Sequence, residues 1–297
     1  MQNSPTFQLS LFKQNDLNRV VNVASVPFRS PFRYPGGKTW LVPRIRQWLL
    51  SKPAKPELLI EPFAGGGIVG LTAAFESLVG RVLLVERDPC VAAVWKTILS
   101  ADGEWLANRI VEFELTTQSV DAALECEANT TRDLAFQTIL RNRINRGGIL
   151  ADGAGRVKHG ENGKGLTSRW YPETLQKRIL DIGLIRDRLT FIEGDGIEVM
   201  GEYADRIDAA FFIDPPYTAA GKRAGSRLYT HSELDHAQLF SVAATVCGDF
   251  LMTYDNTPEI EAMARQHNFD CESVAMKNTH HTRMTELLIG TNLAWLR

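Results

Sequence analysis

The sequence has no long apolar run and no apolar N-terminal stretch. None of its 297 residues lies in a run that approaches the ~20 apolar residues of a membrane helix. Residues 1–21 are polar throughout and lack the apolar stretch of a secretory signal. Apolar residues make up 44% and charged residues 23%, which is ordinary for a globular protein with a sizeable core. The sequence therefore predicts a cytoplasmic protein without a membrane partner.

Cysteine and histidine are few and scattered. The four cysteines form no CxxC pair, which argues against a zinc ribbon or a redox-active pair. They stand at Cys90, Cys126, Cys247 and Cys271. The pair His280–His281, and His231 with His236, have no convincing third ligand, so no metal is predicted.

Excess charge of one sign is also lacking over the whole chain, whose net charge is −2. The local balance differs, because residues 132–188 hold twelve Lys or Arg against six Asp or Glu, a net charge of +6. A segment this polarised in an acidic protein is a candidate contact for a polyanion. An ordinary solvated helix face is the alternative that charge alone leaves open.

The order of predicted elements indicates an α/β fold with a mainly parallel sheet and helices on both faces. From residue 57 onward, apolar strands alternate with helices, stop alternating over residues 101–188, and resume at residue 189. The chain is predicted to end in a β-hairpin. We assign residues 1–27 to a tail or arm, 28–100 and 189–297 to one catalytic domain, and 101–188 to a mainly helical, basic insertion.

The stretch "IEPFAGGGIVG" places a glycine-rich turn between the first strand and a helix. Gly65, Gly67 and Gly70 satisfy GxGxxG, and Glu86 ends the next strand, as in a dinucleotide site. A nicotinamide-dependent oxidoreductase is therefore one hypothesis, and a turn without a ligand is another. Glu61 and Pro62, which precede the glycines, suit a positively charged ligand better than a pyrophosphate.

The stretch "RYPGGKTW" is not a P-loop, because Phe32 stands where a P-loop needs its first glycine. Gly36, Gly37 and Lys38 precede a helix and form a small nest of amide donors with a cation. Such a nest suits a carboxylate.

The stretch "FFIDPPY" ends a buried strand in a stiff, polar turn. Asp214 offers a carboxylate acceptor, and Pro215 and Pro216 fix the backbone and add no competing amide donor. Tyr217 can lie against the face of a planar ring. An amine held by two acceptors turns its lone pair away from the ring, which prepares the nitrogen for attack on an electrophile.

Together and in this order, "RYPGGK", "EPFAGGG" and "DPPY" closely resemble the Dam-like family of N6-adenine-specific DNA methyltransferases over residues 28–297. The resemblance implies a Rossmann-like S-adenosylmethionine-dependent methyltransferase fold with an inserted target-recognition region. It implies S-adenosyl-L-methionine as cofactor, duplex DNA as partner, and an adenine flipped out of the duplex as acceptor. A bacterial or phage-encoded monomer is expected, with a restriction endonuclease as a candidate partner.

The resemblance also implies site residues. The catalytic positions are Asp214, Pro215, Pro216 and Tyr217. The cofactor positions are Tyr34, Gly36, Gly37, Lys38, Glu61, Phe63, Gly65, Gly66, Gly67, Glu86, Asp195 and Asp214. The DNA-binding positions that we expect from charge are Arg141, Arg143 and Arg146 in the insertion, and Lys222, Arg223 and Arg227 in the loop after "DPPY".

Other acceptors and other classes stay open on sequence alone. The same amine slot suits an N4-cytosine or an RNA adenine methyltransferase. A catalytically inactive DNA-binding module on the same fold is a further alternative, against which the intact Asp214 and Tyr217 argue. The insertion reads "RNRINRGGIL", where many family members have an asparagine–arginine stretch before a single glycine, so no target sequence is transferred.

Overall fold

One mixed sheet organises the chain. The structure is a computed structural model that describes residues 21–33, 36–151, 153–160, 163–216, 234–277 and 283–297. Within these residues the sheet has seven strands in the order β3-β2-β1-β4-β5-β7-β6. The strands are β1 (Leu58–Glu61), β2 (Arg81–Glu86), β3 (Leu189–Glu193), β4 (Ala209–Ile213), β5 (Asp249–Asp255), β6 (Asp270–Lys277) and β7 (Arg283–Gly290). Strands β1 to β5 are parallel, and β7 runs antiparallel between β5 and β6.

Helices connect the strands. In the described residues they are α1 (Val42–Leu50), α2 (Ile68–Phe75), α3 (Pro89–Ile98), α4 (Gly103–Glu112), α5 (Thr117–Glu125), α6 (Thr131–Ile144), α7 (Pro172–Leu184), α8 (Gly196–Glu202), α9 (His236–Ala243) and α10 (Pro258–Gln266). Helix α3 begins where the sequence carries a helix-start signal, because the side chain of Asp88 caps it and Pro89 occupies its first position.

The strands are buried on both faces. Leu59 and Phe212 pack on one side with α1, α2 and α3, whereas Ile60 and Phe211 pack on the other with α8, α9 and α10. Neighbouring residues of a strand point to opposite faces, so continuous apolar strands are the pattern that a two-sided core requires. The predicted α/β fold, with helices on both faces of a mainly parallel sheet and a hairpin at the end, is confirmed.

An acid stands at or just after the end of each parallel strand. These acids are Glu61, Glu86, Glu193, Asp214 and Asp255. Because the carboxyl ends of parallel strands share one edge, the five acids gather there. The chain order also reverses there, since β1 lies between β2 and β4. Ligands of open α/β sheets bind at this kind of switch point.

Residues 101–188 are mainly helical in the described part and contain no strand beyond an isolated bridge between Asn145 and Arg156. Helix α6 packs on α3, and α4 packs on α7. The division of the chain at residues 100 and 188 stays a prediction. No helix of the described part is both long and apolar enough to cross a membrane.

Candidate active site

A cleft opens at the carboxyl edge of the sheet, with about 1150 Å³ of empty volume including its open mouth. The three stretches that the sequence singled out all contribute to its walls. The predicted residues that line it are Gly36, Gly37, Lys38, Glu61, Phe63, Gly65, Gly66, Gly67, Glu86, Asp195, Asp214, Pro215 and Pro216. Tyr34, Tyr217, Lys222, Arg223 and Arg227 lie outside the described residues. The fold thus brings the described cofactor and catalytic candidates together.

The glycine-rich turn rests on one buried tryptophan. Gly65 and Gly67 have φ values of 46° and 60°, which favour glycine. The indole Nε1–H of Trp95 donates to the Gly65 carbonyl at 2.9 Å. A Cβ on Gly67 would lie 2.8 Å from the Trp95 ring. The turn therefore needs glycine for its conformation and for the close approach of the indole.

Glu86 holds the two loops beside the cleft. Its Oε2 accepts the Gly65 N–H at 3.0 Å, and its Oε1 accepts the N–H groups of Arg87 and Asp88 at 2.8 and 2.9 Å. Burial raises the pKa of this carboxyl to about 7, against the effect of the three amides. Glu86, one of the predicted cofactor positions, thus also stabilises the glycine-rich turn through its hydrogen bond to Gly65.

Asp195 caps helix α8 at the far side of the same edge. Its Oδ1 accepts the Ile197 N–H at 2.8 Å and the Glu198 N–H at 3.4 Å. Its Oδ2 lies 3.4 Å from the Arg87 guanidinium. This contact joins the end of β2 to the end of β3. The position of Asp195 beside a cofactor stays a prediction.

Lys38 is buried and faces the protein's own carboxylates. Only 3% of its side chain is exposed. Its ammonium lies 2.9 Å from Oδ1 of Asp214, 3.6 Å from Oε1 of Glu286 and 3.0 Å from the Gly36 carbonyl oxygen. An ammonium has three N–H donors, so three oxygen acceptors match its capacity. This geometry makes Lys38 a partner of Asp214, whereas the sequence suggested a nest for a ligand carboxylate.

Thr253 and Glu286 complete the support of Asp214, and sequence reasoning missed both. The Thr253 hydroxyl donates to Oδ1 of Asp214 at 2.8 Å. Among the described residues, both partners of Asp214 contact Oδ1 and none contacts Oδ2. The signal that could have found Thr253 and Glu286 is a polar residue inside each of two otherwise apolar strands, "DFLMTYD" and "TELLIG". The arrangement fixes the carboxylate and leaves one oxygen for a donor in the cleft.

Glu61 is buried beneath the glycine turn. It is 3% exposed, and its Oε1 accepts the Gly70 N–H. Burial, together with the nearby charge of Asp214, raises its pKa to about 8, against the effect of the Gly70 amide. At neutral pH the carboxyl is therefore mostly protonated, because the charged form has lost its water.

We expect Glu61 to make the protein less stable as pH rises. In the folded state the Glu61 carboxyl holds a proton that it releases in the unfolded chain at the ordinary glutamate pKa of 4.5. The stabilisation that comes from this proton is on the order of 2–4 kcal/mol. It is complete below pH 4.5 and is lost as the pH rises through about 8. Chemical denaturation from pH 5 to 8 measures it, and Glu61→Gln, which keeps the acceptor for Gly70, should flatten the slope. An unchanged slope in that variant would assign the effect to other groups.

The three arginines of the insertion that were predicted to bind DNA differ in how far they are buried. Arg146 is exposed, and Arg141 is half-buried beside Gln137 at 3.4 Å. Arg143 is only 4% exposed, and its Nη2 donates to the Pro31 carbonyl. Burial lowers the Arg143 pKa to about 9, and the neighbouring arginines add to this. This placement argues against a DNA contact by Arg143, because the packing of α6 turns it inward.

The described residues contain no group of three or more His, Cys, Asp or Glu side chains arranged to hold a metal. His236 hydrogen-bonds the Tyr254 hydroxyl at 2.8 Å instead. His231, His280 and His281 lie outside the described residues.

A family model now supports the resemblance. The model of the D12 class N6 adenine-specific DNA methyltransferases matches residues 34–85. The match supports a methyltransferase. It spans Lys38, the glycine turn and most of β2, and it ends before Asp214. The resemblance inferred from the motifs is thus confirmed over this part of the chain. No curated protein matches the chain.

Solved structures resemble the chain only distantly. A precorrin-6y C5,15-methyltransferase from Geobacter metallireducens GS-15 aligns with a TM-score of 0.40 and 11% identity, covering 91% of this chain and 97% of its own. The rRNA methyltransferase aviRa from Streptomyces viridochromogenes aligns with a TM-score of 0.41 and 16% identity, covering 89% and 88%. Since both scores are low, the fold class rests on the order and direction of the strands described above.

Proposed function

We propose that the chain transfers a methyl group from S-adenosyl-L-methionine to the N6 amine of an adenine in duplex DNA. The observation that carries the proposal is the carboxylate of Asp214, held at Oδ1 by Lys38 and Thr253 at the wall of the cleft. A carboxylate with one oxygen fixed and the other turned to a ligand suits an exocyclic amine. The match to the family model supports the same reaction class.

The charges of the cleft favour a cationic cofactor. Five acids line it, against two basic residues. The acids are Glu61, Glu86, Asp88, Asp195 and Asp214. The basic residues, Lys38 and Arg87, each already contact an aspartate. At neutral pH Glu61 is mostly protonated and Glu86 partly so, but the three aspartates still outnumber the two basic residues. The remaining negative charge repels the pyrophosphate of a nicotinamide dinucleotide and attracts a sulfonium and an ammonium. This balance is the physical reason to prefer S-adenosylmethionine over the oxidoreductase hypothesis.

The backbone around the cleft is packed closely against other parts of the protein. A Cβ on Gly67 would meet Trp95 at 2.8 Å, and a Cβ on Gly196 would lie 2.1 Å from the Pro62 carbonyl oxygen. Two loops thus meet at the cleft with no room for side chains. We infer that Gly65 to Gly67 lie beneath the methionine part, that Glu86 accepts from the ribose hydroxyls, and that Asp195 lies beside the adenine.

The chain's contribution to the transfer is orientation of the acceptor. S-adenosylmethionine, when bound, supplies a methyl group on a positively charged sulfur. Oδ2 of Asp214 and the Pro215 carbonyl accept the two N–H bonds of the amine, which directs the nitrogen lone pair toward that methyl group. The nitrogen would gain the methyl group, the bonding electron pair would stay with the sulfur, and the proton would pass from the nitrogen to solvent water after transfer. Flipping the adenine out of the duplex costs a few kcal/mol of lost stacking and pairing. Tyr217 would replace part of the lost stacking.

Duplex DNA is the proposed acceptor because of the local positive charge. Residues 132–188 carry a net charge of +6, and Arg146 of this segment is exposed. Arg141, which is half-buried, is the second proposed contact. Lys222, Arg223 and Arg227 would add contacts from the loop after Tyr217. Phosphate contacts of this kind make DNA affinity fall steeply with salt, with a log–log slope of about −0.9 per neutralised phosphate.

The proposed function is tested in two steps with the purified full chain. Calorimetry with S-adenosylmethionine and with NAD should show binding of the first alone; a tight NAD complex without S-adenosylmethionine binding would reverse the assignment. Transfer of a labelled methyl group is then compared among duplex DNA of varied sequence, the same duplexes with adenine replaced by purine, which lacks the amine, and RNA. We expect labelling of the adenine-containing duplexes alone. Labelling that persists without the adenine amine, or that occurs only on RNA, would contradict the proposed acceptor.

A further inference from the structure

We infer that Asn142, a residue of the insertion, is a positioning residue for the wall of the cofactor cleft formed by residues 28–33. The side chain is fully buried. Its Oδ1 accepts the Arg33 N–H at 2.8 Å, and its Nδ2 donates to the Arg33 carbonyl at 2.9 Å and to the Gly148 carbonyl at 2.8 Å. One amide thus joins helix α6 to two stretches of main chain, and it satisfies both polar groups of the Arg33 main chain.

Two arginines of the insertion, one on α6 and one on α7, also contact residues 28–33. Arg143, next to Asn142 on α6, donates to the Pro31 carbonyl. Arg178 on α7 lies over the Phe28 ring at 4.7 Å, and its Nη1 is 3.5 Å from the Ser30 carbonyl oxygen. A Cβ on Gly148 would lie 2.2 Å from the Arg33 carbonyl oxygen, so the two main chains are in close contact. Residues 28–33 are therefore attached to the insertion through several main-chain groups.

The wall reaches the cleft through alternate side chains. Phe28, Ser30 and Phe32 line the cleft. The Phe32 ring lies 6.2 Å from the ring of Trp95, the same residue that holds the Gly65 carbonyl. A shift of α6 would thus move one wall of the cleft relative to the glycine turn. If nucleic acid bound to the insertion shifts α6, cofactor affinity would change, and cofactor would change nucleic-acid affinity by the same factor.

This inference rests on the proposed cofactor, and a matched pair of variants tests it. Asn142→Leu removes the clamp and keeps the number and branching of the side-chain heavy atoms. Gln137→Leu is the control, because Gln137 is also buried on α6 and also donates twice to main chain, at Ala123 and Cys126, but it does not contact residues 28–33. Both variants should lose similar thermal stability. Only Asn142→Leu should weaken S-adenosylmethionine binding, by about tenfold in calorimetry.

Hydrogen exchange gives a readout that needs no ligand. In the full chain without cofactor, Asn142→Leu should speed amide exchange of residues 28–33 by about tenfold, whereas Gln137→Leu should leave that rate at the wild-type value. If Asn142→Leu does not fold, Asn142→Asp keeps the acceptor for Arg33 N–H and loses both donors, and it is measured in the same way. Unchanged exchange at residues 28–33, or equal loss of cofactor affinity in both variants, overturns the inference. A wild-type chain that does not bind S-adenosylmethionine refutes the proposed function, while the exchange comparison still decides the clamp.

Discussion

Asp214→Ala is expected to abolish methyl transfer while leaving the protein folded. An orienting interaction of this kind contributes ~3–4 kcal/mol to the transition state, which corresponds to a loss of ~100- to 1,000-fold in rate. The fold should survive because Asp214 follows Ile213, the last residue of β4, and lies outside the packed strand. Lys38 keeps Glu286 and the Gly36 carbonyl as partners in the variant. Single-turnover methylation of an adenine-containing duplex measures the loss, and circular dichroism checks folding.

Thr253→Val is the graded control for this change. The variant keeps the volume and removes one hydrogen bond to Oδ1 of Asp214, while the ion pair with Lys38 remains. We expect a rate loss of about tenfold, because one neutral hydrogen bond contributes about 1 kcal/mol. An Asp214→Ala variant that retains a rate within tenfold of the wild type would show that another group holds the amine. The proposed role of Asp214 would then be wrong.

Local signals in the sequence were enough to predict the strands of the sheet and the acids at their carboxyl ends. The parallel strands are short apolar runs, and the cap at Asp88 and Pro89 marks the start of α3. Once the strands are parallel, their carboxyl ends must share one edge, so acids that follow strands must gather there. Glu61, Glu86 and Asp214 could therefore be placed in one site before any coordinates were known.

The support of Asp214 could not be predicted, because it depends on long-range register. Thr253 is 39 residues from Asp214 in sequence, and it reaches Oδ1 because β5 pairs with β4. Glu286 comes from β7, which is inserted antiparallel beside β5. A polar residue inside an apolar strand signals a buried partner, but the sequence does not say which partner.

The interior position of Arg143 was also beyond the sequence. Helix α6 is buried on several sides, and its buried residues include Gln137, Asn142 and Arg143 as well as apolar ones. Such a helix has no single apolar stripe, so periodicity does not separate its inner from its outer face. The sequence shows that residues 132–188 are basic. It does not show which arginine is exposed to solvent and which one hydrogen-bonds the main chain of residues 28–33.

Lys38→Met is expected to lower both stability and activity. The variant keeps an apolar side chain of similar length and removes the cation between Asp214 and Glu286, whose carboxylates lie 2.9 and 3.6 Å from it. Loss of one partner of a buried ion pair typically costs ~3–5 kcal/mol, because the remaining carboxylates lose the cation that offsets their charge. In a chain of this size we expect a fall in Tm of roughly 10 °C. Thermal unfolding and single-turnover methylation measure the two effects.

The double variant Lys38→Met/Glu286→Gln distinguishes a partner of Asp214 from a ligand for the cofactor. If Lys38 acts on the buried carboxylates, the neutral amide that replaces the Glu286 carboxylate removes one uncompensated charge and should restore about 1–3 kcal/mol of stability. Activity should stay low, because Oδ1 of Asp214 still lacks its cation. If Lys38 instead binds the cofactor carboxylate, Lys38→Met should weaken S-adenosylmethionine binding with little loss of Tm, and Glu286→Gln should restore nothing. That second pattern would return Lys38 to the role that the glycine nest in the sequence suggested.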